Sequence, residues 1–358
     1  MPVVHEIAAL LDAALEARLG SAAAVSIGDG GIEQERLVRG ITRRLPALGP
    51  PASEHVPFDL ASLTKPMATA ALAMVLVGDG VLDLDAPVRR WFPAAATTAT
   101  VRQLLGHAGG LAAHVEFFRT LGHGHEGGAY AELIARAVGY PATVPGVAAV
   151  YSDLGYMILG AILSQVAGLP LDEAVRSRVT EPLGLDGARY PGTSALPLAV
   201  ATELDDRGLV SGVVHDENAY FSGGVCGHAG LFATIGDVAA FAAAVLATVR
   251  GQPRGRWRTP VVRQFLSDAA APETTWRLGW DTPSRQPGVS HAGDRWPRVG
   301  AVGHTGFTGT SLWLDLVRGR WVALLTNRVH PTRHGTADAI KALRRAVADA
   351  AWAMLDAH

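Results

Sequence analysis

Apolar residues recur at helical spacing near the start of the chain: Ile7, Leu10, Leu11, Ala14, Leu15 and Leu19, with Glu6, Asp12, Glu16 and Arg18 between them. That pattern predicts an amphipathic helix packed on the body of the protein. Residues 22–28 are a compact apolar run ending in Asp29-Gly30-Gly31, and residues 37–41 are a second, so together they predict a β-hairpin. An Ala/Leu/Met/Val run over residues 69–77 predicts a buried helix. From residue 83 to about 209 the pattern is of helices broken by Pro and Gly, with glycine and proline clusters at 122–128 and 141–146. A further Ala/Val/Phe-rich helix is predicted near 232–249. Short runs at 279–281, 301–303, 311–316 and 321–326 then read as strands, and residues 337–355 as a last helix. Strands at both ends with helices between them predict a mixed α/β fold of the α+β kind. Its antiparallel sheet would be built from both termini and flanked by helices (1–80 and 210–358), with a mainly helical region (81–209) inserted.

Composition narrows the function classes. A chain of 358 residues with 49% hydrophobic and 18% charged residues is an ordinary globular protein. A net charge of −2 gives no electrostatic case for nucleic acid. One cysteine, Cys226, allows no internal disulfide, and its small neighbours predict a buried thiol. No run is long and charge-free enough to predict membrane insertion, and the amphipathic start does not read as a signal peptide. A cytoplasmic location is therefore expected. The His123-Gly124-His125-Glu126 tract lacks metal-ligand spacing and predicts a surface loop, so no metal is expected.

Candidate chemistry begins at Ser62-Leu63-Thr64-Lys65. Of 31 basic residues only Lys65 and Lys341 are lysines. An amine can lose its proton and act as a base or relay, whereas a guanidinium cannot. Pro66 is tolerated only in the first turn of a helix, which places Ser62 at or just before a helix start. There the positive end of the helix dipole favours an oxyanion. Tyr151-Ser152-Asp153 stands between a turn and an apolar helical stretch. His304-Thr305-Gly306 lies within short β-like runs.

These three motifs, in this order, resemble those of the serine β-lactamase and penicillin-binding protein superfamily. The similarity is greatest to the branch of class C β-lactamases, D-alanyl-D-alanine carboxypeptidases, esterases and D-aminopeptidases. It runs from about residue 22 to the last helix, and residues 104–111 (Leu-Leu-Gly-His-Ala-Gly-Gly-Leu) look like another family segment. Residues 214–219, 223–232 and 325–331 resemble amidases and carboxypeptidases acting on cell-wall muropeptides.

The resemblance implies a serine hydrolase with an acyl-enzyme on Ser62 and no cofactor. It makes Tyr151 the better candidate for general base, with Lys65 holding its phenolate. It places the oxyanion between the backbone N–H groups of Ser62 and Phe307, with Thr305 and Gly306 along the substrate. His114 falls where relatives place a side chain that contacts the substrate amide, and Arg328 is a candidate anchor for a substrate carboxylate. His215 and Asp216 receive no role. The chain departs from the common pattern twice. His304 replaces a lysine, which predicts a weaker, pH-dependent positive field near the ordinary histidine pKa of about 6.5. Asp153 replaces an asparagine. Its carboxylate would favour the ammonium form of Lys65 and repel a carboxylate of the substrate. The expectation is therefore poor β-lactam turnover and a neutral or amine-bearing substrate at that end. The leading substrate class is a peptidoglycan-derived peptide or muropeptide. A promiscuous carboxylesterase and a ligand-sensing module that acylates without turnover are the alternatives.

Overall fold

The computed structural model describes residues 2–121 and 128–357. The tract His123-Gly124-His125-Glu126 lies outside them. Five strands, β1 (Ala22–Asp29), β2 (Ile32–Gly40), β3 (Ala301–Thr305), β4 (Ser311–Asp315) and β5 (Arg320–Thr326), form one antiparallel sheet in the order β2-β1-β5-β4-β3. The helices include α1 (Pro2–Glu16), α2 (Ala71–Gly78), α3 (Asp153–Ala167), α4 (Ile235–Val249) and α5 (Ala337–Asp356).

Alternation along the strands divides the core into two layers. Ala23, Val25 and Ile27 of β1, Trp313 of β4, and Val322 and Leu324 of β5 point to one face. There they meet Ile7, Leu11 and Leu15 of α1, and Ile340, Leu343 and Val347 of α5. The intervening Ala22, Ala24, Leu312, Leu314, Ala323 and Leu325 join Val238, Phe241 and Val245 of α4 on the other face, continuous with the apolar helices α2 and α3. Each large apolar side chain fully buried in this way contributes about 1.5–3 kcal/mol of transfer free energy. Residues 61–78 are apolar and long enough to cross a membrane, but 89% of them are buried, so they serve as the central helical core.

Local chemistry moves several predicted boundaries. The expected strand at 279–281 is reduced to a single bridge, Asp281 to Gly303. Gly279 has φ +93°, which turns the chain out of the extended region, and Pro283 offers no N–H to continue a ladder. The helix expected near 232–249 starts at Ile235. Thr234 caps it, accepting from the Asp237 N–H at 3.2 Å, while Asp237 Oδ2 accepts from the Thr234 N–H at 2.8 Å. Phe232–Ala233 instead pairs with Phe58–Asp59, ahead of the turn that carries Ser62. Ser62 opens no regular α-helix. A 3₁₀ turn (Ala61–Leu63) is followed by a wider π-type turn (Lys65–Ala70) before α2 begins. Cys226 is buried and free, as its neighbours predicted.

Candidate active site

The turn that presents Ser62 is strained and then pinned. Ala61 has φ +47°, a left-handed conformation that costs a non-glycine residue about 1–2 kcal/mol. Its N–H donates to Asp59 Oδ1 at 2.8 Å, and Asp59 Oδ2 accepts from the His215 N–H at 2.7 Å. From the far side of the sheet edge, Thr308 Oγ1 donates to the Asp59 carbonyl at 2.8 Å and Thr310 Oγ1 to the Leu60 carbonyl at 2.9 Å. The loop after β3 is thereby clamped to the nucleophile turn. Gly306 is required for that approach: a Cβ there would lie 2.1 Å from Thr310 Oγ1 and 2.5 Å from the Leu60 carbonyl oxygen.

Lys65 is fully buried, and each of its three N–H donors has an acceptor. These are Ser62 Oγ at 3.0 Å, Asp153 Oδ1 at 2.8 Å and the His228 carbonyl at 3.1 Å. Burial alone would lower its pKa, but the Asp153 carboxylate and the Tyr151 phenol outweigh it and hold the ammonium well above its ordinary range. Asp153 sits in the first turn of α3, where Ser152 Oγ caps the Gly155 N–H at 3.1 Å. Burial opposes its charge, yet Lys65 and the His114 ring keep it far below the ordinary carboxylate range. Its second oxygen, Oδ2, is 3.2 Å from His114 Nδ1.

Tyr151 OH is 2.7 Å from Ser62 Oγ. Burial pushes the phenol above its ordinary value, and only part of this is offset by Lys65, whose Nζ lies 4.8 Å from the ring centroid. Lys65 acts on the phenol both through its charge and through a hydrogen bond between the two side chains. An aromatic platform fixes the phenol: His107 is 4.6 Å and Trp276 5.2 Å away, centroid to centroid. His107 Nδ1 accepts from the Ser152 N–H at 3.1 Å, and burial followed by the Lys65 field keeps this ring neutral.

His304 corrects an expectation. It is buried beside Tyr151, with Nδ1 2.8 Å from the Thr305 carbonyl. Burial, then the Lys65 charge, push its pKa down to about 3. It therefore carries no charge at neutral pH and provides no pH-dependent positive field. Arg328 also differs from expectation. Its Nε donates to the Phe307 carbonyl at 2.8 Å, its Nη1 to Thr336 Oγ1 at 2.8 Å, and its guanidinium lies 4.4 Å from the Phe307 ring centroid. It clamps the Phe307 loop more than it offers an open anchor.

Ser62, Tyr151 and Phe307 are shared by two adjoining lobes of about 380 and 400 Å³. The first is lined by Glu116, Asp153, Asp216 and Glu217, with His114, His228 and Arg333. Its carboxylates have protein partners: Asp216 reaches His228 Nε2 at 2.8 Å and Glu217 reaches Arg333 at 2.5 Å. Burial works against both charges of the Asp216–His228 pair. Mutual attraction still draws Asp216 down to about 2 and raises His228 well above its ordinary value. The second lobe is lined by Trp276, Asp281, Thr305 and Gly306, and by the cations Arg328, Lys341 and Arg344. Arg344 is buried and has no carboxylate partner among the described residues. Its Nη2 donates to the Gly306 carbonyl at 2.6 Å and to the Thr310 carbonyl at 2.8 Å, and its Nε–H is unpaired among the described residues. Burial and the Arg328 charge push it down to about 9. Asp153 faces the first lobe already paired with Lys65, so its charge does not govern the second.

The sequence reading brought Ser62, Lys65, Tyr151, Asp153, His114, His304, Thr305, Gly306, Phe307 and Arg328 into consideration, and the structure gathers all ten around these lobes. It adds Asp216, Glu217, His228 and Arg333 on one side and Lys341 and Arg344 on the other. Lys341 had a signal in the sequence, as the second of only two lysines.

Comparison with known proteins agrees with this geometry. A protein of Escherichia coli (strain K12), provisionally named D-alanyl-D-alanine carboxypeptidase, is 30% identical over 341 residues, covering 84% of this chain and 73% of its own. An N-acetylmuramyl-L-alanine amidase of Bacillus subtilis (strain 168) is 29% identical over 318 residues, covering 76% of this chain and 68% of its own. A mutant simvastatin synthase of Aspergillus terreus superposes with a TM-score of 0.75 at 18% identity, over 99% of this chain and all of that one, a likeness of fold. The profile of the Beta-lactamase family matches residues 7–346, nearly the whole chain, and the protein belongs to that family of serine hydrolases.

Proposed function

We propose that the protein hydrolyses an amide bond in a peptidoglycan-derived peptide or muropeptide, through an acyl-enzyme on Ser62. The observation that carries this reading is the placement of Ser62 Oγ. It lies within hydrogen-bond reach of both Lys65 Nζ and Tyr151 OH, at the junction of a lobe of internally paired charges and a lobe of unpaired cations. The cationic lobe suits a leaving group that ends in a carboxylate, because Arg344 and Lys341 have no carboxylate partner among the described residues. This replaces the neutral or amine-bearing substrate expected from Asp153. The names of the relatives, a D-alanyl-D-alanine carboxypeptidase and an N-acetylmuramyl-L-alanine amidase, describe amides of alanine and so support the class.

In the proposed cycle Tyr151, in the phenolate form that the Lys65 ammonium favours against burial, takes the Ser62 proton while Oγ bonds to the substrate carbonyl carbon. The carbonyl electron pair moves to oxygen, which the N–H groups of Ser62 and Phe307 hold; losing one such donor typically costs about 10²–10³ in rate. Collapse breaks the C–N bond, and the proton on Tyr151 passes to the leaving amine. Water then attacks the ester, giving its proton to Tyr151, and Ser62 leaves as the alcohol. Lys65 remains an ammonium throughout. β3 is the sheet's edge strand, so a substrate backbone has room along Thr305-Gly306-Phe307.

The test is intact mass and product analysis after exposure to muropeptides ending in D-alanine, with Ser62→Ala alongside. Amide cleavage by the wild type and none by the variant supports the reading. Rapid cleavage of short-chain nitrophenyl esters with amides untouched would make it a carboxylesterase. A persistent adduct without product would make it a sensing module.

A further inference from the structure

An unbroken line of polar groups runs from solvent to the nucleophile: His114 Nδ1 to Asp153 Oδ2 at 3.2 Å, Asp153 Oδ1 to Lys65 Nζ at 2.8 Å, Lys65 Nζ to Ser62 Oγ at 3.0 Å, and Ser62 Oγ to Tyr151 OH at 2.7 Å. Its outer end is exposed, and Asp153, Ser62 and Tyr151 are partly buried. The His114 side chain is 42% exposed, whereas that of Lys65 is fully buried. Among the described residues, the other charged groups facing His114 are already engaged. Asp216 is paired with His228 at 2.8 Å, and Glu116 is paired with Arg119 on the outer surface. On the far wall of the lobe Glu217 is paired with Arg333. A proton arriving at His114 is therefore felt chiefly by Asp153, and through it by Lys65 and Tyr151.

We propose that His114 is a positioning residue that sets the acid end of the working pH range. By taking a proton it draws Asp153 away from Lys65, and so keeps the transfer between Ser62 and Tyr151 open at lower pH. The proposal rests on Ser62 as nucleophile and Tyr151 as base. Its sign follows from charge. A positive imidazole beside Asp153 cancels part of the carboxylate's field, which favours the Tyr151 phenolate and moves the ascending limb of activity to lower pH. A neutral imidazole leaves Asp153 wholly to Lys65 and moves that limb up. The direction of the His114 shift is consistent with this geometry: hydrogen bonding to Asp153 raises it despite partial burial.

Two measurements test the proposal. The first is the pH profile of kcat/KM on nitrophenyl acetate, an uncharged probe, for wild type, His114→Gln, Asp153→Asn and the double variant. His114→Gln should move the ascending limb up by about half a pH unit, an attenuated Coulomb effect at this separation. Asp153→Asn should move it down by about one to three units. The double variant should match Asp153→Asn, because the coupling passes through that carboxylate. A His114→Gln profile that superimposes on the wild type overturns the proposal, as does a His114 effect that survives in the Asp153→Asn background. The second measurement is the imidazole NMR titration of His114 in the intact protein, which requires no catalysis and so stands apart from the Ser62 reading. A midpoint above about 6.5 that falls on Asp153→Asn supports the coupling. A midpoint indifferent to residue 153 refutes it.

Discussion

The two lobes beside Ser62 are similar in size but opposite in how their charges are settled. In the first, Asp153, Asp216 and Glu217 have protein cations within 2.8 Å in Lys65, His228 and Arg333. In the second, Arg344 is buried against two carbonyl oxygens, and none of Arg328, Lys341 or Arg344 forms an ion pair among the described residues. A buried charge is costly unless it is paired. A lobe whose charges are satisfied internally serves to set protonation states. A lobe with charges left over is built to receive an opposite charge from outside. On the proposed reading, the difference gives proton management to the Asp153 side and recognition to the Arg344 side.

The largest effect should come from removing the residue the lobes share. Ser62→Ala is expected to cut turnover by about 10⁴-fold or more, measured as kcat on any cleaved substrate. Next is the contact that joins the lobes. Gly306→Ala forces a methyl against Thr310 Oγ1 and the Leu60 carbonyl, and should destabilise the protein by about 1–3 kcal/mol in denaturant unfolding. A variant as stable as wild type would mean that the β3 loop can withdraw from the nucleophile turn.

The comparison itself is sharpened by Arg344→Met. It should raise KM for a carboxylate-terminated peptide by about tenfold or more, as expected for a hydrogen bond to a charged group, and change KM for a neutral ester much less. Equal effects on both substrates would remove the recognition role. Lys341→Ala, at an exposed position, should raise the same KM only a few-fold, about 0–1 kcal/mol. The smallest effect concerns His304. Already neutral, with a pKa pushed down to about 3, it should add no titration between pH 5 and 8. The shape of the pH profile over that range should be the same in His304→Gln as in wild type.

Much of the site was legible because its motifs are local. Ser62 and Lys65 meet across one helical turn, and His304-Thr305-Gly306 is contiguous. Tyr151 and Asp153 were legible as a motif, although 88 residues separate Asp153 from Lys65. What stayed hidden was pairing. That Asp216 pairs with His228, or Glu217 with Arg333, depends on loops converging from distant parts of the chain, and no spacing records it. Charge state was hidden for the same reason. The sequence offered His304 as a titrating group, but burial beside Lys65 makes it neutral. The strand expected at 279–281 failed because Gly279 adopts φ +93°, a choice fixed by close contact with Ala70 across the core, 2.4 Å from where a Cβ would stand.

The sequence by itself determined the element types and the sheet assembled from both ends, because periodicity of two or 3.6 residues dictates which face is buried. It also named the candidate reacting groups, whose chemistry belongs to residue type. Tertiary structure decided which charges cancel, which remain for a ligand, and which proton is available. Those properties depend on distance and burial between residues far apart in the chain, where a Coulomb interaction changes several-fold with the surrounding dielectric.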